Sequence, residues 1–381
     1  MLHNQFFHAI GLMSGSSLDG LDICYVRFKV GNSSFEYEIL QADCIEYSNE
    51  FRVRLRTAPN LSAFEFAKLH TEAGNFFGKL TKNFIQKNKI ENLDFICSHG
   101  QTIFHQPISG FTSQIGCGAQ IAAQTNCKVI CDLRTSDIAN GGQGAPIVPV
   151  AEQYLFSDYK VFLNIGGIAN ISFRNPNSLK GITEGEEIIA YDICAANTVL
   201  NYLAKQKGLD YDKDGKLARC GAIIPDLLIN LNEINFCKES APKSLGSEHI
   251  YEDWIPLFDN YDDSIEDKLA TMVEHIAMQV SESIVHSLQS AEKNNNRIGG
   301  LSTIDHRLLI TGGGALNTFL IERIQQHTKL QVVVPDVLTV QHKEALAMAF
   351  IGLLRILEIP NCLASVTGAK KDAAGGAVYL P

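Results

Sequence analysis

The stretch Phe7–Phe28, FHAIGLMSGSSLDGLDICYVRF, decides the fold. Its apolar run Phe7–Met13 reads as a buried strand and Asp22–Phe28 as a returning strand, with the small, hydroxylated, glycine-rich turn Ser14–Gly20 between them. Gly15 and Gly20 permit φ > 0 and close approach of the backbone to a ligand. Ser14, Ser16 and Ser17 add hydroxyls beside the amides that such a turn presents. This composition suits an anion cradle, with Asp19 and Asp22 available to hold a cation near phosphates. An ordinary Gly/Ser hairpin turn has the same composition, because glycine-rich turns are common. A Walker A loop is excluded, since no Gly-Lys-Ser/Thr follows at the required spacing.

The chain repeats the device. Lys160–Ile165, Gly166-Gly167 and Ile168–Phe173 form a second strand–turn–strand unit, VFLNIGGIANISF. A third glycine-rich element, LLITGGGALN (Leu308–Asn317), has the form of a strand, then Gly312-Gly313-Gly314, then a helix over Leu316–Gln326 whose N-terminal amides face a ligand. Between these, Tyr37–Tyr47 reads as a strand and Leu61–Ile85 as one amphipathic helix. Phe95–Cys97 and Val129–Cys131 read as short buried strands, Ile188–Tyr191 as a strand ending at Asp192, and Ile265–Gln289 as a long helix. Strands alternating with helices imply a mostly parallel α/β sheet with functional loops at strand ends. Two echoed hairpins and a GGG element in this order point to the two-domain ATPase fold shared by actin, sugar kinases and heat-shock chaperones. The expected domains are 1–133, with 366–381 returning to it, and 134–365, facing each other across a cleft.

The bulk properties narrow the function. The 381 residues are 45% hydrophobic and 19% charged, enough apolar material for two cores. A formal net charge of −10 argues against a broad nucleic-acid or acidic-membrane surface. No apolar run of about 18 residues is present for a transmembrane helix, and the N-terminus lacks signal-peptide features. Ten scattered cysteines without a CxxC pair read as reduced core residues, which fits a cytoplasmic enzyme and not a metal–cysteine site.

Asp192 ends the run IIAYD before a helix. It is either an N-cap for that helix or a carboxylate at a strand's C-terminal end, where it serves as general base toward a hydroxyl or a water. In SHGQTIFHQP, His99, Gln101 and His105 follow a strand end and are either structural or suited to hydroxyl and amide recognition on a sugar. The His99-x5-His105 spacing is not a zinc pattern. Arg134 and Asp137 sit in the Gly/Pro-rich segment DLRTSDIANGGQGAPIVP (132–149), either as solvated charges or, for Arg134, as the fork for a substrate carboxylate.

Taken together, these motifs resemble the anhydro-N-acetylmuramic acid kinases nearly end to end. GLMSGSSLDGLD (11–22) is similar to the family's ATP-phosphate loop, with Ser16 where Thr is usual. SHGQTIFH (98–105) and DLRTSDIANGGQGAPIVP resemble its sugar-site segments, and NIGGIANIS (164–172) its second phosphate hairpin. YDKDGKLARCG (211–221), PKSLG (242–246), TGGGALN (311–317) and VTGA (366–369) match further on. The family commonly reads Asp-Thr-Gly-Pro-Gly-Asn where this chain has Asp192-Ile193-Cys194-Ala195-Ala196-Asn197, and the alanines cannot cheaply adopt conformations reserved for glycine.

The resemblance implies ATP-dependent conversion of 1,6-anhydro-N-acetylmuramic acid, with opening of the anhydro bridge, to N-acetylmuramic acid 6-phosphate in cell-wall recycling. It assigns Asp192 as the catalytic base. ATP and its phosphates fall to Gly15, Ser16, Ser17, Leu18, Asp19, Gly20, Leu21, Asp22, Gly166, Gly167, Gly312, Gly313 and Gly314. The sugar falls to His99, Gln101, Arg134, Asp137 and Asn197. Mg2+ is expected chiefly on the phosphates, with Asp19 and Asp22 nearby. The implied partner is the small amino sugar, with neither nucleic acid nor membrane, and a homodimer is expected from the resemblance alone. The competing readings are a same-fold kinase for another sugar and a non-catalytic actin-like nucleotide switch.

Overall fold

The computed structural model describes residues 5–15, 18–31, 34–174, 188–240, 243–293 and 307–381. The chain divides into two compact units, Met1–Ser157 with His342–Pro381, and Asp158–Gln341.

In the first unit, β1 (Gln5–Ser14), β2 (Gly20–Val30) and β3 (Phe35–Glu46) form an antiparallel meander. Next come β4 (Phe95–Gln106), which pairs parallel to β1, its hairpin partner β5 (Phe111–Ile115), and β6 (Val129–Cys131), parallel to β4. In the second unit, β7 (Val161–Ile165), β8 (Ile168–Arg174) and β9 (Ile188–Ala195) repeat the meander, and β10 (Arg307–Thr311) and β11 (Gln331–Val333) repeat the parallel extension. A last strand, β12 (Ala377–Tyr379), closes the first sheet against β6. The orders are β12-β6-β4-β1-β2-β3 and β11-β10-β7-β8-β9. Apart from β5 and β12 the two sheets are wound alike, which is the doubling anticipated from the two glycine hairpins.

Local chemistry accounts for the main helices. Ser62 and Glu65 form a reciprocal capping box that opens the helix Ala63–Lys87, and Leu69, Ala73, Phe77 and Phe84 line its buried face. The helix Ile265–Lys293 buries Leu269, Met272, Val273, Ile276, Val280 and Ile284 at helical spacing in the core of the second unit.

The observed division of the chain differs from the one expected, which assigns 134–157 and 342–365 to the other unit. Long-range bonds hold both segments in the first unit: Asp137 accepts from Thr367, Lys343 pairs with Glu152, and Arg134 donates to His99. The helix Val337–Ile356 is long and apolar enough to cross a membrane by length and composition, although His342, Lys343 and Glu344 interrupt its apolar run, and 78% of its most apolar stretch is buried within the protein.

Gly11 of β1 lets this helix sit against the sheet, since a Cβ there would lie 1.8 Å from the carbonyl oxygen of Ala345. Gly11→Ala is therefore expected to destabilise the protein by about 2–3 kcal/mol through overpacking. Differential scanning calorimetry should read this as a melting temperature lower by roughly 5 °C or more; an unchanged melting temperature would mean that the helix yields freely.

Candidate functional site

In the first unit, β1 delivers Ser14 to the start of the glycine turn. The carbonyl of Gly15 accepts from the amide of Leu18, which takes a left-handed conformation with φ of 56°. Ser16 and Ser17 lie outside the described residues. Gly20 presses on β3, where a Cβ would meet the Ile45 carbonyl oxygen at 2.6 Å. Asp19 is pinned by its own backbone: its carbonyl accepts from the Tyr47 amide and the Arg52 guanidinium, and its carboxylate from the Gly20 amide. Leu21 faces the core and contributes backbone only. Burial pushes the Asp22 carboxyl up to about 6, opposed by a hydrogen bond with Cys44 and reinforced by the charge of Asp19. Two neighbouring carboxylates that repel each other suit Mg2+, which binds through one or two carboxylates together with substrate phosphates. Among the described residues, no group of three or more His, Cys, Asp or Glu side chains forms a metal site without such phosphates.

The SHGQT segment is not a loop after a short strand. It is the middle of the long strand β4, where Ser98 and Gln101 pair with β1 and Gln101 and Thr102 with Ile115 and Gln114 of β5. A register shift in the β1–β4 ladder sets Ser14 opposite Gln101. Ser14 Oγ donates to Gln101 Oε1 at 2.6 Å, so the Tyr47 hydroxyl, 2.6 Å from Ser14 Oγ, donates to it in turn. This relay fixes which way the Gln101 amide points.

His99 is buried, with Nδ1 2.9 Å from the Gly100 carbonyl oxygen and Nε2 2.9 Å from Arg134 Nε. Arg134 has only protons to give, so His99 Nε2 accepts and Nδ1 carries the imidazole proton. Burial, then the Arg134 charge, pushes the His99 pKa down to about 3, and the ring is neutral. Arg134 also donates to the Gly144 carbonyl at 2.7 Å, which leaves Nη2 without a partner among the described residues. Its own pKa is lowered by burial to about 10, with Glu344 opposing the shift.

Asp137 is only 1% exposed. One of its oxygens accepts from the Gly144 amide and the other from Thr367 Oγ1, each at 2.7 Å. The carboxylate expected on the substrate thus holds together the loop that Arg134 grips.

In the second unit the carbonyls of Gly166 and Gly167 accept from the amides of Ala196, Asn197 and Thr198, and so cap the helix Asn197–Lys205. Asn197 Nδ2 donates to the Ile165 carbonyl at 3.2 Å. The GGG turn stacks on the same strand end: Gly312 has φ of 82°, and a Cβ on Gly314 would lie 2.2 Å from Ile165 Cγ2. The helix does not open directly on the glycines. A 3-10 turn, Gly313–Leu316, intervenes, and Asn317 caps the helix Thr318–His327 by accepting from the Leu320 amide. The structure thus gathers Gly166, Gly167, Asn197 and Gly312–Gly314 into one patch of backbone.

Asp192 lies within β9 and not at its end, because Ile193, Cys194 and Ala195 continue the buried apolar run. The N-cap alternative is thereby removed, since the hairpin carbonyls already cap the helix. Neither alanine has a positive φ, which is −138° at Ala196. Ile193, where the family pattern has a hydroxyl, packs in the core. Asp192 Oδ2 accepts from the Leu245 amide at 2.8 Å and from Ser244 Oγ at 3.1 Å, while its own amide donates to the Lys243 carbonyl. Burial raises its pKa, and these two hydrogen bonds, then Lys243, oppose the rise.

Sequence reasoning missed Tyr47, Ser244 and Glu344. Glu344 keeps solvent access while protein crowds it on its other sides, so desolvation raises its pKa against the charges of Lys343 and Arg134. In the run KEALAMAF it looks like the solvent side of a helix, and only the fold brings it near Arg134.

The model of the family described as anhydro-N-acetylmuramic acid kinase matches residues 7–381. A protein of that name from Pasteurella multocida (strain Pm70) is 34% identical over 386 residues, covering 97% of this chain and 96% of the relative. One from Aliivibrio fischeri (strain ATCC 700601 / ES114) is 32% identical over 389 residues, covering 97% and 98%. Among solved structures, Plasmodium falciparum glycerol kinase with ADP aligns over 92% of this chain and 90% of its own, at 10% identity and a TM-score of 0.47. Hexokinase from Schistosoma mansoni complexed with glucose aligns over 91% and 85%, at 10% identity and a TM-score of 0.37. The fold assignment rests on the paired sheets and the family match.

Proposed function

The chain belongs to the anhydro-N-acetylmuramic acid kinase family, and from that membership we propose that it converts 1,6-anhydro-N-acetylmuramic acid, water and ATP into N-acetylmuramic acid 6-phosphate and ADP. The observation that carries this reading is the match over residues 7–381, a span that takes in both glycine hairpins, both sugar-site segments and Asp192.

In this reading Asp192 takes a proton from a water. The water oxygen bonds to the anomeric carbon as the bond from that carbon to O6 breaks. The freed O6 then bonds to the γ-phosphorus, the bond to the ADP oxygen breaks, and the proton returns to solvent. The nucleotide phosphates are assigned to the backbone of Gly15 and Leu18–Asp22 in the first unit, and to that of Gly166, Gly167 and Gly312–Gly314 in the second, since amide donors favour developing phosphate charge. Mg2+ held beside Asp19 and Asp22 would neutralise phosphate charge.

Gln101 and Arg134 touch the sugar, with Arg134 Nη2 directed to its lactyl carboxylate. His99 orients Arg134, Asp137 holds the loop, and Asn197 ties the second hairpin to the GGG turn. Use of ATP suits a cytoplasmic enzyme.

A coupled ADP-release assay with Mg-ATP tests the proposal, comparing the anhydro sugar, N-acetylmuramic acid and no sugar. Release stimulated only by the anhydro sugar, with the 6-phosphate identified by mass, is the expected result. Stimulation by another sugar, or slow hydrolysis indifferent to sugar, would overturn it.

A further inference from the structure

The motif PKSLG is not absorbed by any step above, yet it packs against the reacting carboxylate. Residues Lys243–Leu245 run alongside the edge strand β9 and engage Asp192 in both directions. The Asp192 amide donates to the Lys243 carbonyl at 3.1 Å, and Asp192 Oδ2 accepts from Ser244 Oγ and the Leu245 amide. Oδ1 accepts no hydrogen bond among the described residues. Lys243 anchors the segment from behind: its ammonium donates to the Phe236 carbonyl at 2.8 Å and lies 4.7 Å from the centre of the Phe236 ring.

We infer that Ser244 is a positioning residue for the general base: with the Leu245 amide it occupies Asp192 Oδ2, and so turns Oδ1 toward the water that is to be deprotonated. The inference rests on Asp192 being that base. Two donors on one oxygen leave the carboxylate a single orientation, and a base held in place avoids reorganisation at the moment of proton transfer. A hydrogen bond to the ionised form also keeps that form populated where burial disfavours it.

Lys243 is the one charged side chain acting on Asp192 among the described residues. Around Lys243 lie Cys194 of β9, Cys237 and Glu239. Burial holds the Cys194 thiol far above its ordinary range and Cys237 at about 12, so both are neutral. Glu282, on the helix packed against β9, acts on Cys237. Asn170, opposite Asp192 on β8, is uncharged. Loss of the Ser244 hydroxyl is thus the change that the titration of Asp192 would register.

The test is kcat/KM for the anhydro sugar against pH in wild type, Ser244→Ala, Ser244→Thr and Ser244→Cys, with melting temperatures in parallel. The acid limb reports the free enzyme's base, and removing a donor to a carboxylate raises its pKa. Ser244→Ala should move that limb up by about 1 pH unit and lower kcat about tenfold, with the sugar KM and melting temperature nearly unchanged. Ser244→Thr, which keeps the hydroxyl, should restore the wild-type profile, and Ser244→Cys, a weak donor, should fall between. An unmoved acid limb would overturn the inference, as would a rise in sugar KM alone, which would make Ser244 a substrate contact. Asp192→Asn in the same assay separates the two layers. If it stays active, the base assignment itself fails; if it is inactive while the Ser244→Ala profile overlays wild type, only the role of Ser244 fails.

Discussion

Asp192→Asn should lower kcat by about three orders of magnitude while ATP affinity stays within a factor of about two, on the scale typical for removal of a general base. The asparagine is nearly isosteric, and its carbonyl oxygen can accept from the Leu245 amide and Ser244 Oγ as Oδ2 does now. The amide nitrogen then replaces Oδ1, presenting the water with a donor that cannot take a proton. Folding should not suffer. Burial raises the Asp192 pKa above its ordinary 3.8, so the folded state binds its proton more readily than the unfolded chain. That contribution to stability is present at low pH and is lost as pH rises through the folded-state value. At neutral pH the buried charge is a cost that asparagine removes, so the melting temperature should equal or exceed that of wild type. Single-turnover kinetics, nucleotide titration and thermal melts check the three parts. Substantial remaining turnover would remove Asp192 from the chemistry.

Arg134→Ala should lower kcat/KM for the sugar about a hundredfold, the scale expected for a lost charge-assisted contact, and change ATP affinity by less than about threefold. The loss has two sources. The substrate carboxylate loses its cation, and the site loses its organiser, because His99 Nε2 and the Gly144 carbonyl are both left without the donor they now share. Glu344 also loses a positive neighbour that holds its pKa down. Arg134→Lys should recover little, since one ammonium cannot bridge His99, Gly144 and a carboxylate in the planar arrangement of a guanidinium. Parallel loss of sugar and ATP binding would show instead that the unit as a whole had loosened.

Both hairpins and the two longest helices were legible in the sequence because each carries its own signal. Apolar runs flank Gly15 and Gly166, and the helix Ala63–Lys87 has its stripe and its capping box. Features that depend on residues far along the chain were not legible. His99 and Gln101 belong to a strand because β4 runs on past Cys97, with Gln101 paired to Ser14 of β1 and Ile115 of β5, and Asp137 is buried where Thr367 closes on it 230 residues later. The division of the chain fails to show for the same reason, since Glu152 and Lys343 are 191 residues apart. Asp192 was recognised as a candidate, but its setting within a strand was not. A carboxylate after an apolar run looks like an end unless the next residues, Ile193-Cys194-Ala195, are taken as continuing it.

The tautomer of His99 has a consequence for handling the protein. One ring nitrogen bears a proton given to Gly100, and the other receives the Arg134 proton. The imidazole therefore has no lone pair to offer a stray zinc or nickel ion and no exposed edge for an acylating reagent. The histidine at the heart of the sugar segment should therefore be left alone by such contaminants.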